Sequence, residues 1–275
     1  MPEGPEIRRV ADRLGRILID RPLTEVWFAY PELARQAEAL SAARVAAVDS
    51  WGKALLTTFS DGQVLFSHNQ LYGVWKVRRR ERPSRSRRIL RAKLVTETHA
   101  AELFSASDIS LWTQETLREQ PFIARLGPDL LTHELSPAAV VERLLSKRFR
   151  GRGLGGLLLD QQCLAGVGNY LRSEILFYAG LPPGVRPMQL SDEAVERLAG
   201  VIIETTLQAY REAGVTNRPA WRRPLQAAGH PRSVWRHAVF GRDGEPCHAC
   251  CTTVDRQSVA SRRLYRCPRC QPDHP

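Results

Sequence analysis

The sequence predicts an α+β, multidomain protein: an antiparallel β-sandwich in the amino-terminal part, a helical carboxy-terminal part, and a closing hairpin built around four cysteines. Three observations predict this. Residues 20–106 break into short apolar segments separated by turn signals, residues from 136 onward carry helix caps and helical periodicity, and residues 247–270 hold two Cys-x2-Cys pairs. At 275 residues the chain is long enough for two modest cores.

The first element is a helix. Pro5 suits a first turn, where its missing N–H costs nothing, and Ile7, Val10, Ala11, Leu14, Ile17 and Leu18 fall on one face. Strands are then expected over Leu23–Ala29, Arg44–Asp49, Ala54–Phe59, Val64–Ser67, Val74–Val77, Ile89–Thr96 and Glu102–Ser105, with turn signals such as Asp61-Gly62 between them. Arg78 to Arg91 carries eight arginines and one glutamate around Pro83, and like charges at that density repel, so it reads as a solvated loop. That loop is either plain surface or a phosphate-contacting segment. Pro121 and Gly127-Pro128-Asp129 are breakers that place a linker over 121–135, after an amino-terminal domain of 1–120. Ser136-Pro137 is an N-cap with proline at N1, opening an amphipathic run to Leu145. Two further helices, Leu154–Gln161 and Tyr170–Ala179, are joined by Cys163 to Asn169, and Ser191 caps a long helix ending near Gly214. The helical domain occupies 136–234 and the hairpin 235–275.

The net charge of +11 is carried by 36 arginines and only 4 lysines, Lys53, Lys76, Lys93 and Lys147, and points to an anionic partner such as nucleic acid. The amino end has no basic-apolar-small signal pattern, and no run of about 18 apolar residues occurs, so neither export nor membrane spanning is expected. An intracellular location follows, cytoplasmic and associated with the nucleoid.

The metal signal is Cys247-x2-Cys250-x16-Cys267-x2-Cys270. Four thiolates at this spacing predict one zinc ion in a closed tetrahedral site, structural because no position is left for water. Cys251 adjoins Cys250, and neighbours cannot both point easily into one tetrahedron, so Cys251 and His248 are taken as spectators. Arg256, Arg262, Arg263, Arg266 and Arg269 on the hairpin make it a phosphate-facing element.

The amino terminus carries a second chemistry. Removal of Met1, expected before a small residue, leaves Pro2 as a secondary amine beside Glu3. An α-amino group has a reference pKa near 8 against about 10.4 for lysine, so far more of it is neutral at physiological pH. The positive end of the first helix depresses it further. A secondary amine attacking an aldehyde carbon gives an iminium cation directly, which favours Schiff-base chemistry. Three more segments are chemically suggestive. Leu164-Ala165-Gly166-Val167-Gly168-Asn169-Tyr170 is either a packing turn or a backbone approach aiming Asn169 and helix N–H groups at an anion. Ser67-His68-Asn69-Gln70-Leu71-Tyr72-Gly73 is either a turn with Leu71 and Tyr72 packed inside or a wedge replacing an extruded nucleotide. Trp51-Gly52-Lys53 presents a lysine just before a strand, ordinarily a surface residue.

In this order, Pro2-Glu3, Gly52-Lys53-Ala54-Leu55-Leu56, the turn at Gly166–Asn169 and the four cysteines resemble the formamidopyrimidine-DNA glycosylase/endonuclease VIII family over nearly the whole chain. Residues 1–9, Met-Pro-Glu-Gly-Pro-Glu-Ile-Arg-Arg, and 68–75, His-Asn-Gln-Leu-Tyr-Gly-Val-Trp, look like the endonuclease VIII branch, which acts on oxidised pyrimidines. The resemblance implies a β-sandwich, a helix-two-turn-helix domain and a zinc finger, with damaged double-stranded DNA bound by a monomer in the cleft between domains. It implies Pro2 as Schiff-base nucleophile, Glu3 as its acid/base, Lys53 in β-elimination and Arg262 at the phosphate in δ-elimination. Gln70, Leu71, Tyr72, Arg125 and Asn169 match DNA contacts. Trp51 stands where that branch usually has arginine, Cys251 is extra, and Arg263 competes with Arg262 for its assignment. The expected activity is that of a bifunctional DNA glycosylase and abasic-site lyase; the alternatives are an oxidised-purine glycosylase and a non-catalytic zinc-ribbon DNA-binding protein.

Overall fold

The computed structural model describes residues 2–133 and 135–273, so the expected loss of Met1 lies outside the described residues. The chain divides into two compact units, residues 1–125 and 126–275, each with its own apolar core.

In the first unit, α1 (Gly4–Leu18) begins with Glu3 as its N-cap, whose backbone N–H donates to Glu6 Oε2 at 3.0 Å. Ile7, Ala11, Leu14 and Leu18 recur at helical spacing and are fully buried. Each of the larger three stabilises the packed helix by about 2 kcal/mol as an upper estimate. There follow β1 (Leu23–Phe28), the short helices α2 (Pro31–Ala34) and α3 (Ala37–Ala42), β2 (Val45–Trp51), β3 (Ala54–Phe59), β4 (Gln63–His68), β5 (Val74–Arg79), β6 (Leu90–Thr96), β7 (His99–Phe104) and β8 (Asp108–Thr113). They form two antiparallel four-stranded sheets, ordered β1-β6-β7-β5 and β2-β3-β4-β8. Val48, Leu55, Phe59 and Leu65 from one sheet and Val26, Trp75, Leu94 and Leu103 from the other share one core with α1. The Trp75 indole N–H donates to Ser67 Oγ at 3.1 Å, tying the two sheets together inside that core.

Several strands outrun their apolar segments, because ladder hydrogen bonds continue through Gln63, His68, Arg78, Arg79 and His99. The arginine-rich connection therefore covers 80–89, and Arg78 and Arg79 belong to β5. Sequence reasoning passes over β8, an edge strand half-buried along most of its length, whose alternation carries little contrast.

In the second unit, α4 (Pro137–Leu145) is capped by Ser136, whose Oγ accepts from the Ala139 N–H at 3.2 Å. The expected helix over 154–161 is a single turn, α5 (Leu154–Leu157). Beyond it the side chains compete for the backbone: Asp160 Oδ1 accepts from the Gln162 N–H at 2.8 Å, and Gln161 Nε2 donates to the carbonyls of Leu159 and Val167 at 2.9 and 2.8 Å. Then come α6 (Asn169–Ala179), ended by Gly180 at φ +69°, and α7 (Asp192–Arg211), capped by Ser191. The next two helices, α8 (Pro219–Ala227) and α9 (Arg232–Trp235), have no fully buried residues, and Pro224 inside α8 reads in the sequence as a helix breaker. A hairpin of β9 (Asp255–Val259) and β10 (Arg262–Arg266) turns at Ala260 and Ser261, both at positive φ. Arg269 lies in the turn after β10, where the second cysteine pair bends the chain away from the strand. Among the described residues no helix is long and apolar enough to cross a membrane.

A buried carboxylate organises the approach to this hairpin. Glu174 of α6 is fully buried and accepts from the N–H groups of Ala238, Val239 and Phe240 at 2.7–2.9 Å and from the Thr216 hydroxyl at 2.6 Å. Thr216 Oγ1 also lies 2.8 Å from His237 Nδ1; with its own proton given to Glu174, it accepts one from His237. Burial pushes the His237 imidazole down to about 3, reinforced by Arg236 and Arg232. An unfolded-state value near 6.5 lies above that, so between the two the unfolded chain binds more protons and stability falls as pH drops. Urea unfolding of the full chain should therefore lose up to about 1.4 kcal/mol per pH unit to this residue in that window. His237→Asn should flatten the pH slope between about 6.5 and 4; an unchanged slope contradicts the assignment.

Candidate functional site

Sheet register gathers the first group of candidate residues at one end of the sandwich. The end of α1 sits beside the start of β2, through the Ile19–Val45 bridge, while Arg8 near its beginning pairs with Asp49 at 3.0 Å. Helix and strand thus run in opposite directions, and the start of α1, with Pro2 and Glu3, lies toward the Trp51 end of β2. Glu3 is only 4% exposed and Pro2 is half-buried. The next turn, Gly52-Lys53, joins β2 to β3 with Gly52 at φ +60°, the glycine-first pattern of a two-residue hairpin. Across the sheet the same end carries Trp51, Ala54, His68 and Asp108 in register.

His68 enters this row beside Lys53. Its Nδ1 lies 3.7 Å from Asp108 Oδ2, and its ring packs on Phe122 with centroids 4.4 Å apart. Burial lowers the His68 imidazole below its ordinary value, Asp108 pulls it back up and the Lys53 ammonium pushes it down; burial likewise raises Asp108. Trp51 carries a cation of its own, the Arg118 guanidinium 5.6 Å from the ring centroid.

The loop after β4 leaves from this end too. Gln70 adopts φ +47° and its Oε1 accepts from Ser107 Oγ at 2.8 Å. Leu71 and Tyr72 are 60% and 71% exposed, so the turn does not bury them. Two large side chains, one aliphatic and one aromatic, are thus presented together on a braced loop. Arg125, at the end of the unit, is exposed with its Nε donating to the Pro121 carbonyl at 2.8 Å.

In the second unit the turn before α6 is built for close backbone approach. Gly166 takes φ +96° and donates its N–H to Gln161 Oε1 at 3.1 Å, and a Cβ on Gly127 would meet the Gln162 carbonyl at 2.3 Å. Asn169 opens α6, and its Oδ1 accepts from Arg172 Nη2 at 2.6 Å. Arginine only donates, so this contact turns the amide NH2 of Asn169 the other way. Arg172 itself is fully buried and also donates to the carbonyls of Gly155, Val259 and Arg263 at 2.9–3.0 Å. One guanidinium thereby joins Asn169 to the β9–β10 hairpin that carries Arg262 and Arg263. Both are exposed; Arg262 shares a face with Leu264, packed in the helical core, and Arg263 the opposite face with Tyr265.

The sulfurs of Cys247, Cys250, Cys267 and Cys270 all lie within 4.8 Å of one another, with individual separations of 3.4–3.9 Å. A tetrahedral ion with metal–sulfur bonds of about 2.3 Å needs edges of about 3.8 Å, so the donor set fits a four-coordinate metal. Cys251 is exposed at φ +61°, and His248 stacks on Trp221 with centroids 5.7 Å apart; both stand outside the cluster.

Residues 1–108 match the formamidopyrimidine-DNA glycosylase N-terminal domain, and residues 126–219 the formamidopyrimidine-DNA glycosylase H2TH domain. The chain is 45% identical to Endonuclease 8 of Escherichia coli and 44% to that of Pectobacterium atrosepticum, each over 98% of this chain and the whole of the relative. It belongs to the formamidopyrimidine-DNA glycosylase/endonuclease VIII family. Its fold matches Lactococcus lactis Fpg bound to abasic-site DNA, with TM-score 0.79 at 20% identity over 98% of this chain and 99% of that one. A Lactococcus lactis Fpg complex with N7-benzyl-Fapy-dG DNA gives 0.80 at 21% over 98% and 100%.

For a member of this family, Arg172, Glu174, Gln161, His68 and Asp108 are the residues that sequence reasoning misses. The signals are faint: Arg172 sits one helical turn after Asn169, and His68 immediately precedes the 69–73 loop. Arg172→Leu removes a charged donor from three carbonyls and should cost about 3 kcal/mol or more in urea unfolding. Arg172→Lys should recover less than half of that, because one ammonium cannot span the fork. Amide exchange in 255–266 should rise in both variants; unchanged protection would contradict the bracing role.

Proposed function

We propose that this protein is a bifunctional DNA glycosylase and abasic-site lyase of base-excision repair, acting as a monomer on oxidised pyrimidines in double-stranded nucleoid DNA of the cytoplasm. The observation that carries the reading is the gathering of Pro2 and Glu3, the Gly52-Lys53 turn and the exposed 70–72 loop at one end of one sandwich. Pre-positioning a nucleophile, an acid/base and a second amine in this way lowers the entropic part of the barrier.

In the proposed reaction the Pro2 nitrogen attacks C1′ of an extruded nucleotide, the glycosidic bond breaks, and the base leaves with a proton. Loss of the amine proton and sugar-ring opening give an iminium at C1′. Glu3, buried at the helix start, supplies and receives these protons. The iminium acidifies the C2′ proton; its removal, assisted by Lys53, expels the 3′ phosphate. A second elimination expels the 5′ phosphate, with Arg262 holding the phosphate oxygens. Gln70, Leu71 and Tyr72 fill the space left in the stack, and Arg125 and Asn169 contact the backbone. A damaged pyrimidine stacks less well, which lowers an extrusion cost of a few kcal/mol. Cys247, Cys250, Cys267 and Cys270 would hold a zinc ion, which would cross-link the hairpin and take no part in the reaction.

Borohydride reduction during turnover should lock DNA onto the protein, with the adduct mapped to Pro2. An uncleaved amino-terminal extension should abolish trapping, and Glu3→Gln should impair base removal more than cleavage at a ready-made abasic site. An adduct on Lys53 with Pro2 unmodified would falsify the nucleophile assignment, and absence of any adduct would favour a binding-only protein.

Cys267→Ser should lose metal and duplex affinity together, whereas Cys251→Ser should keep one equivalent of zinc. Metal analysis that found Cys251→Ser depleted would refute the ligand set.

A further inference from the structure

β5 and β6 both pair antiparallel with β7, so they run parallel to each other and their connection must cross back along the sheet. Such crossovers are usually helical. Here residues 80–89 make the return without regular secondary structure, from the Arg79 end of β5 to Leu90 opposite Phe104. A distance of about 20 Å is covered, six strand residues at about 3.3 Å each.

This strap is folded by its own charges. Arg78 donates Nε and Nη2 to Glu102 Oε1 at 2.9 and 2.7 Å, and Nη1 to the carbonyls of Arg79, Arg80 and Arg82 at 3.2, 3.0 and 2.6 Å. One buried carboxylate and one guanidinium thus collect the strap's carbonyls on the inside. Lys76 Nζ holds Ser86 Oγ at 3.4 Å, and a cavity of about 420 Å³ remains between strap and sheet, lined by Lys76, Arg82 and Arg85 among others. Arg79, Arg80, Arg82, Arg85 and Arg87 are all exposed, and among the described residues none of them is paired with a carboxylate. At the far end Arg88 Nη1 donates to the Tyr72 carbonyl, fastening the strap to the 70–72 loop. A row of unneutralised guanidiniums, held by a buried ion pair and tethered to that loop, presents a continuous positive surface suited to an extended anion.

We infer that residues 80–89 form a phosphate track for duplex DNA, gripping one strand's backbone beyond the nucleotides engaged by the 70–72 loop. At 3.4 Å per base pair, 20 Å of strap matches about six base pairs. The inference rests on the DNA-repair reading above and extends its binding surface to an element outside the proposed chemistry.

The test is the salt dependence of binding to an undamaged duplex long enough to extend well past the wedge on both sides. Replacing Arg82, Arg85 and Arg87 together by Ser should make log affinity against log salt shallower by about 2 to 3, at about 0.9 for each phosphate no longer neutralised. The hydroxyl-radical footprint should shrink on one side of the wedge. Replacing the same three by Lys should keep the wild-type slope and footprint, which separates missing charge from a disturbed fold. A Ser variant with wild-type slope and footprint overturns the track while leaving the repair reading intact. A wild-type protein whose duplex binding ignores salt overturns both.

Discussion

A chain end frays unless something holds it, and here the burial of Ile7, Ala11, Leu14 and Leu18 against two sheets fixes Pro2 and Glu3 at the start of α1. Without that apolar stripe, Pro2 and Glu3 would be two residues of a mobile tail. With it, the helix start is pinned at the end of β2 where the Gly52-Lys53 turn emerges. The Arg8–Asp49 pair adds direction to the packing, because it is met only when the helix runs opposite to β2. In the proposed chemistry a terminal amine needs no activation by a neighbouring base to be partly neutral, so a rigid mount is most of what the fold would have to provide.

The carboxy-terminal unit solves a different problem with polar rather than apolar burial. Arg172 and Glu174 lie two residues apart on α6, are both fully buried, and are satisfied chiefly by backbone groups of segments distant in sequence. With both terminal nitrogens of Arg172 and both oxygens of Glu174 hydrogen-bonded, these groups hold one arrangement; half-paired, they would be worse than leucines. Their partners include the 259–263 backbone and the 238–240 turn, so the hairpin with the four cysteines is oriented by α6.

The strap over β5–β7 applies the same device to a surface element. Arg78 and Glu102 cancel each other inside, and the remaining arginines are left to face outward. In the sequence the whole stretch looks uniformly basic. In the structure one arginine is scaffold and its neighbours are display, a division that depends on which side chain reaches the buried carboxylate.

Local chemistry determined a good deal from sequence alone. The helix behind Pro5, the Ser136 and Ser191 caps, the glycine turn at Gly52 and the sulfur cluster at Cys247, Cys250, Cys267 and Cys270 all follow from short-range rules: periodicity, capping and the reach of a metal tetrahedron. Tertiary structure alone decided whether Leu71 and Tyr72 face in or out, because period-two alternation is the same for a buried turn and an exposed loop. It also decided the short reach of α5, the edge strand β8, and the bracing by Arg172, Glu174 and His68. Each of these depends on a partner tens of residues away, and a buried arginine or carboxylate carries no mark in its own neighbourhood that distinguishes it from a solvated one.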